Sequence, residues 1–246
     1  MTREEGIRLV ERINRAAGIP SWREILPPRH HRPIVEQMTS CRSPFCTSLV
    51  AGGLLTQQQM EHAARRYRIG ESRFNWTVFW QLDEQGRALE GRCVYYLEDG
   101  EPDPDCTPQW VSDVLFLQCG LPRLFPVANC LFGLHLLSEV RPRQEVRADG
   151  RDNPLGHAGN PIIAVTRLEK TAVICSERLP RFVWMAVGDD RCLRPELFFP
   201  LQGHRLIVFP ERPAGSVDFA RWQRVCHDAG RRVGQYIRVS DLSLFT

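Results

Sequence analysis

The run Pro161-Ile-Ile-Ala-Val-Thr-Arg-Leu-Glu-Lys-Thr-Ala-Val-Ile-Cys175 decides the fold. Its first half is apolar and β-branched, as in a strand buried on both faces, and its second half turns directly into a helix. The same rhythm continues downstream. The pattern predicts strand 161–166, helix 169–178, strand 182–187, a short helix near 192–199, strand 205–209, helix 217–229 and strand 234–239. Helix 217–229 sets Phe219, Trp222, Val225 and Cys226 on one side and Arg221, Arg224 and Asp228 on the other, as a covering helix should. Right-handed crossovers convert a βαβαβαβ order into a parallel sheet with helices on both faces. The fold class is therefore α/β and Rossmann-like over 161–246.

Within the deciding run stands Lys170, the single lysine of a chain that otherwise uses arginine for its 32 basic residues. It falls where a strand's carboxyl end meets a helix amino end, the usual ligand position in α/β folds. A compact ammonium there differs in chemistry from a guanidinium fork. Chance is the competing explanation, since one lysine must fall somewhere.

Bulk properties narrow the classes without choosing among them. At 246 residues with 43% hydrophobic content the chain can bury a core. Its longest apolar stretches, such as Val183 to Val187 and Leu206 to Phe209, fall short of the roughly 18–20 residues of a membrane span. No membrane partner is expected. The amino terminus carries no apolar secretory run, which points to the cytoplasm. Nine scattered cysteines, odd in number and without zinc-knuckle spacing, read as free thiols packed in apolar surroundings. A net charge of +3 neither demands nor excludes a polyanion.

Working outward from the α/β half, residues 1–40 hold an amphipathic helix with Ile7, Val10, Ile13 and Ala17 on one face, then a Pro/Arg-rich connector containing His30 and His31. Residues 41–138 read as a small α+β region. It begins with a helical pattern over 44–50 and a stronger helix from its N-cap Thr56 to a stop at Gly70. Strands Trp76 to Leu82 and Gly91 to Leu97 follow, joined by the turn Asp83-Glu-Gln-Gly86. Residues 99–109 form an acidic loop, Cys130 to Leu137 a short buried segment, and 139–160 a polar linker. The aromatic residues Trp76, Phe79, Trp80, Tyr95 and Tyr96 of this region could offer base-stacking surfaces, but strand aromatics are usually core, and they are read as core here.

Residues beyond the strand ends carry any chemistry: Arg167, Glu169, Lys170 and Thr171 after the first strand, Gly188, Asp189 and Asp190 after the second, Glu211 and Arg212 after the third. Carboxylates at neighbouring strand ends are how such folds hold Mg²⁺, a hard cation that takes oxygen ligands. Plainer roles compete with this. Glu169 and Thr171 suit a helix start, Asp189-Asp190 suits a turn, and Arg167 can pair with Glu211.

Several segments in order carry a family resemblance: Tyr67-Arg-Ile-Gly70, Val78-Phe-Trp-Gln-Leu-Asp-Glu-Gln-Gly86, Asn129-Cys-Leu-Phe-Gly-Leu-His-Leu-Leu137, Ala164-Val-Thr-Arg-Leu-Glu-Lys-Thr-Ala-Val-Ile174, Val183-Trp-Met-Ala-Val-Gly188 and Leu206-Ile-Val-Phe-Pro-Glu211. Together they resemble the Toprim-like, primase-related proteins of bacterial mobile elements over about residues 42–240. The resemblance implies a Toprim-like sheet, Mg²⁺-dependent phosphoryl transfer and nucleic acid, DNA foremost, as partner. It implies catalytic roles for Glu169, Lys170 and Glu211, ligand contacts at Arg167, Thr171, Gly188, Asp189 and His135, and metal ligation by Glu169, Asp189 and Glu211.

Departures from the family pattern are as informative. Where the family reads Val-Glu-Ser-Glu-Lys-Thr-Ala, its metal-binding glutamate falls on Arg167; Phe-Pro-Asp becomes Phe209-Pro210-Glu211, and Phe-Gly-Glu-His becomes Phe132-Gly133-Leu134-His135. Three functions remain open: a diverged nucleic-acid-processing enzyme, a binding module without catalysis for nucleic acid or protein, and a binder of nucleotides or other phosphate ligands through Lys170 and the helix amino end.

Overall fold

The computed structural model describes residues 35–72, 74–118, 130–139, 161–242 and 244. The expected amino-terminal helix, the connector with His30 and His31, and residues 140–160 of the expected linker lie outside these.

Two sheets are described. Helices α1 (Pro44–Ala51) and α2 (Gln57–Tyr67) lead into an antiparallel sheet ordered β1 (Gly70–Glu71), β2 (Thr77–Leu82), β3 (Ala88–Val94) and β4 (Gln109–Trp110), which continues into α3 (Val111–Gln118). Thr56 caps α2 reciprocally: its hydroxyl accepts from the Gln59 amide at 3.2 Å while the Gln59 side chain accepts from the Thr56 amide at 2.9 Å. The helix stops at Tyr67 rather than at Gly70, because Arg68 turns left-handed at φ 55°. Gly70 serves packing instead, since a Cβ there would lie 2.8 Å from the Trp80 indole nitrogen.

Strand β3 runs from Ala88 to Val94, displaced from the expected 91–97, because Asp83 ties the hairpin turn early. Its carboxylate accepts from the Gln85 amide at 3.0 Å, the Arg87 amide at 2.8 Å and the Arg87 guanidinium at 2.6 Å. Phe79, Trp80 and Tyr96 are buried, and Phe79 stacks edge-on against Phe45 and Phe132, whereas Trp76 and Tyr95 are only half-buried and pack against each other.

The second sheet is parallel throughout, ordered β6 (Phe182–Ala186), β5 (Ile162–Thr166), β7 (Leu206–Phe209) and β8 (Arg238–Val239). Helix α4 (Glu169–Arg178) links β5 to β6, and α5 (Val217–Val233) links β7 to β8. These connections run in opposite directions, so right-handed crossovers put α4 on one face and α5 on the other. The segment expected as a helix over 192–199 is instead two short 3₁₀ turns, Asp190–Cys192 and Pro195–Leu201, the second interrupted by Pro200. Helix α5 extends to Val233 and closes on left-handed Gly234, which leaves the last strand only Arg238 and Val239.

One hydrophobic core crosses both sheets. It includes Phe45, Tyr67, Phe79 and Phe132 from the first part and Val165, Trp184, Val208 and Trp222 from the second. The Tyr67 hydroxyl donates to the Trp184 carbonyl at 2.8 Å, and Phe132 and Ala186 exchange backbone hydrogen bonds at 2.8 and 3.0 Å. Among the described residues no helix is long and apolar enough to cross a membrane.

Candidate functional site: a charge-paired crevice at the strand ends

The chain leaves β5 for α4 and β6 on one side, and leaves β7 for α5 and β8 on the other. The crevice between the carboxyl ends of β5 and β7 is therefore a topological switch point, where ligands of open α/β sheets gather. Glu169, the first residue of α4, is 1% exposed there. A carboxylate that deep needs a partner. Arg92 of β3 supplies it as a two-pronged fork, Nε donating to Oε1 at 2.8 Å and Nη2 to Oε2 at 2.6 Å. Burial works against the Arg92 charge, but the Glu169 carboxylate outweighs it and raises the guanidinium above its ordinary value.

Gly188 is shaped to this pair. It follows β6 at φ +85°, and a Cβ there would stand 2.5 Å from Glu169 Oε1 and 3.4 Å from Arg92 Nε. Any side chain at 188 would enter the ion pair.

Glu211, after β7, has the left-handed backbone of φ 55° uncommon outside glycine. It reaches back to α4, where Oε2 accepts from the Leu168 amide at 3.1 Å and Oε1 from the Thr171 hydroxyl. Leu168, the N-cap residue, has no side chain to satisfy the helix amino end, so Glu211 does so from another strand.

The remaining carboxylates are also answered. Asp189 accepts from the backbone and guanidinium of Arg191; burial pushes its carboxyl up, but Arg191 more than offsets this and holds it below the ordinary value. Asp190 accepts from Arg212 and, at 3.0 Å, from the Trp222 indole. Arg167 stands 4.0 Å from Asp190 and makes no direct pair with Glu211, contrary to the expected partnership. Its guanidinium is held below its ordinary value by burial and by the neighbouring Arg212. Lys170 turns away from the crevice, donating to the Gly100 carbonyl and to Glu101, both at 2.8 Å. His135 lies elsewhere, against the Arg66 carbonyl at 2.9 Å.

The sequence-derived residues thus separate into three groups. Glu169, Gly188, Glu211 and Thr171 share the crevice around the start of α4; Asp190 joins Arg167 to Arg212 and Trp222, and Asp189 pairs with Arg191; Lys170 and His135 serve other contacts. The arrangement does not fit Mg²⁺ as it stands. Glu169 is neutralised by Arg92, Asp189 by Arg191, and Glu211 answers a backbone amide and a hydroxyl. Among the described residues, no three histidine, cysteine, aspartate or glutamate side chains are grouped to hold a metal ion. Sequence reasoning missed Arg92 altogether. Its one signal is a charged arginine inside the otherwise uncharged strand segment Gly91-Arg-Cys-Val94.

A family model described as a domain of unknown function, DUF6371, matches residues 43–147 and 154–212. The chain belongs to the DUF6371 family. Both matched stretches contribute to the crevice, the first with Arg92 and the second with Glu169, Gly188 and Glu211. No curated protein matches this DUF6371 member. Among solved structures, the DnaG primase catalytic domain bound to ssDNA is similar over 89% of this chain and 74% of that one, with 13% identity and a TM-score of 0.47. No residue role is carried across that likeness.

Proposed function

We propose that this DUF6371 member is a nucleic-acid-binding module that keeps a Toprim-like α/β fold but no longer uses the strand-end crevice for Mg²⁺-dependent catalysis. The observation that carries this reading is the Arg92–Glu169 pair. A carboxylate with both oxygens committed to a buried guanidinium is unavailable to a cation unless that pair breaks, and an unpaired buried charge costs several kcal/mol. Arg167, where the resembled family has a metal-binding glutamate, adds a second positive charge on the same side. The nucleic-acid partner, the kinship with mobile-element proteins and a cytoplasmic setting rest on the motif resemblance and the sequence.

The phosphate-ligand reading is less favoured, because Glu211 already caps the helix amino end and Lys170 faces Glu101. Binding of a labelled single-stranded oligonucleotide, followed by anisotropy across a salt series with Mg²⁺ or with chelator, tests the proposal. Salt-sensitive binding that does not require Mg²⁺ is expected. Strand extension or cleavage that requires Mg²⁺ would refute it.

A further inference from the structure

At the opposite, amino-terminal end of the parallel sheet lies an open groove of about 1090 Å³. It is lined by the starts of β5, β7 and β8 and by the loops at 202–205 and 233–236. Two side-chain hydrogen bonds stitch those loops together: Gln202 Nε2 donates to the Val233 carbonyl at 3.0 Å, and Gln235 Oε1 accepts from the Gly203 amide at 2.7 Å. Gly230 lets the second loop pass, since a Cβ there would lie 2.5 Å from the Gln235 carbonyl oxygen. The floor is therefore built rather than accidental.

Two features of this groove fit one kind of ligand. Arg205 and Arg238 border it, both exposed and neither making an ion pair with a carboxylate among the described residues. That contrasts with the strand-end crevice, where Arg92, Arg191 and Arg212 all have partners. Tyr236 is 86% exposed between them in sequence, an aromatic ring presented to solvent on a short loop.

Guanidiniums beside an exposed aromatic ring are the elements by which proteins hold single-stranded nucleic acid: the cations track the phosphates and the ring stacks on a base. We infer that single-stranded nucleic acid binds in this amino-edge groove, with Tyr236 as the stacking platform and Arg205 and Arg238 as phosphate contacts. The inference rests on the nucleic-acid reading proposed above and adds to it a location remote from the strand-end crevice. It also separates the two ends of the sheet by role, one internally neutralised and one left open to a polyanion.

The test is anisotropy of a fluorescent oligo(dT) strand with the full chain and with Tyr236→Ala, Arg205→Ala/Arg238→Ala and, as control, Arg224→Ala on the exposed side of α5. Thermal unfolding of each variant checks that the fold is intact. The inference expects Tyr236→Ala to weaken binding about tenfold or more. It expects the double arginine variant to weaken binding and to flatten the dependence of log affinity on log salt by about 1.4, at roughly 0.7 per lost phosphate contact on a single strand. Arg224→Ala should bind as the unaltered chain does. If the unaltered chain binds but Tyr236→Ala and the double variant bind equally well, the groove is not the site, while the nucleic-acid reading stands. If the unaltered chain does not bind, that reading and this inference fall together.

Discussion

Arg92 and Glu169 form the contact on which the strand-end account depends, and their burial sets its energetics. Removing one member leaves the other charged and buried, whereas removing both leaves an apolar void that neighbours can fill. Glu169→Ala should therefore destabilise the fold by about 3–5 kcal/mol, a loss of roughly 6–20 °C in Tm for a chain of this size. The double variant Arg92→Met/Glu169→Leu should recover most of it. Thermal unfolding of both proteins checks this, and a double variant as unstable as the single one would deny the pair its isolated, charge-compensating character. His135 makes a second prediction. Burial lowers its pKa from the ordinary 6.5, so the folded state prefers the neutral ring whose Nε2–H donates to the Arg66 carbonyl. The unfolded chain binds the proton more readily. This contribution to stability is fully present above about pH 6.5 and is lost as pH falls through the lowered folded value. Denaturant midpoints between neutral and mildly acid pH should fall, and a His135→Asn variant should fall less over the same window.

At the scale of elements, Glu211 holds α4 to β7. Its carboxylate satisfies the helix amino end from a neighbouring strand, so Glu211→Ala removes a cap and should cost about 0.5–2 kcal/mol, measurable as a shift in denaturant midpoint. An unchanged midpoint would show that solvent replaces the carboxylate freely. The alternating strands and helices of 161–233 were legible because their apolar runs and amphipathic period are local signals, as in β5, α4, β6, β7 and α5. The helix expected near 192–199 failed on Pro195 and Pro200, which favour short 3₁₀ turns over a continuous α-helix. Gly70 misled as a helix stop because its reason is tertiary, the approach of Trp80. The candidate site was partly legible for a related reason. Strand-end positions named Glu169, Gly188, Asp189 and Glu211, but their partners come from distant segments, Glu169 from residue 92 and Glu211 from the start of α4. Such pairings leave no local pattern in the sequence.

On the scale of the whole molecule, the antiparallel and parallel sheets share one core through Tyr67, Phe132 and Trp184, and they share the buried Arg92–Glu169 pair. Unfolding should therefore be a single cooperative transition across the described region. Far-ultraviolet circular dichroism and tryptophan fluorescence, which reports on Trp80 in one sheet and Trp184 in the other, should give coincident curves. Two separated transitions would mean that the sheets are independent units. The central claim, which follows from the proposal above, is that the guanidiniums around the crevice neutralise its carboxylates, so that the folded chain takes up no Mg²⁺ there. Any ligand that binds the native state alone raises its stability by mass action. The direct measurement is the thermal midpoint of the unaltered chain in chelator and in millimolar Mg²⁺. The account predicts the same midpoint in both, whereas a Mg²⁺-dependent rise that disappears in Glu169→Gln would contradict it.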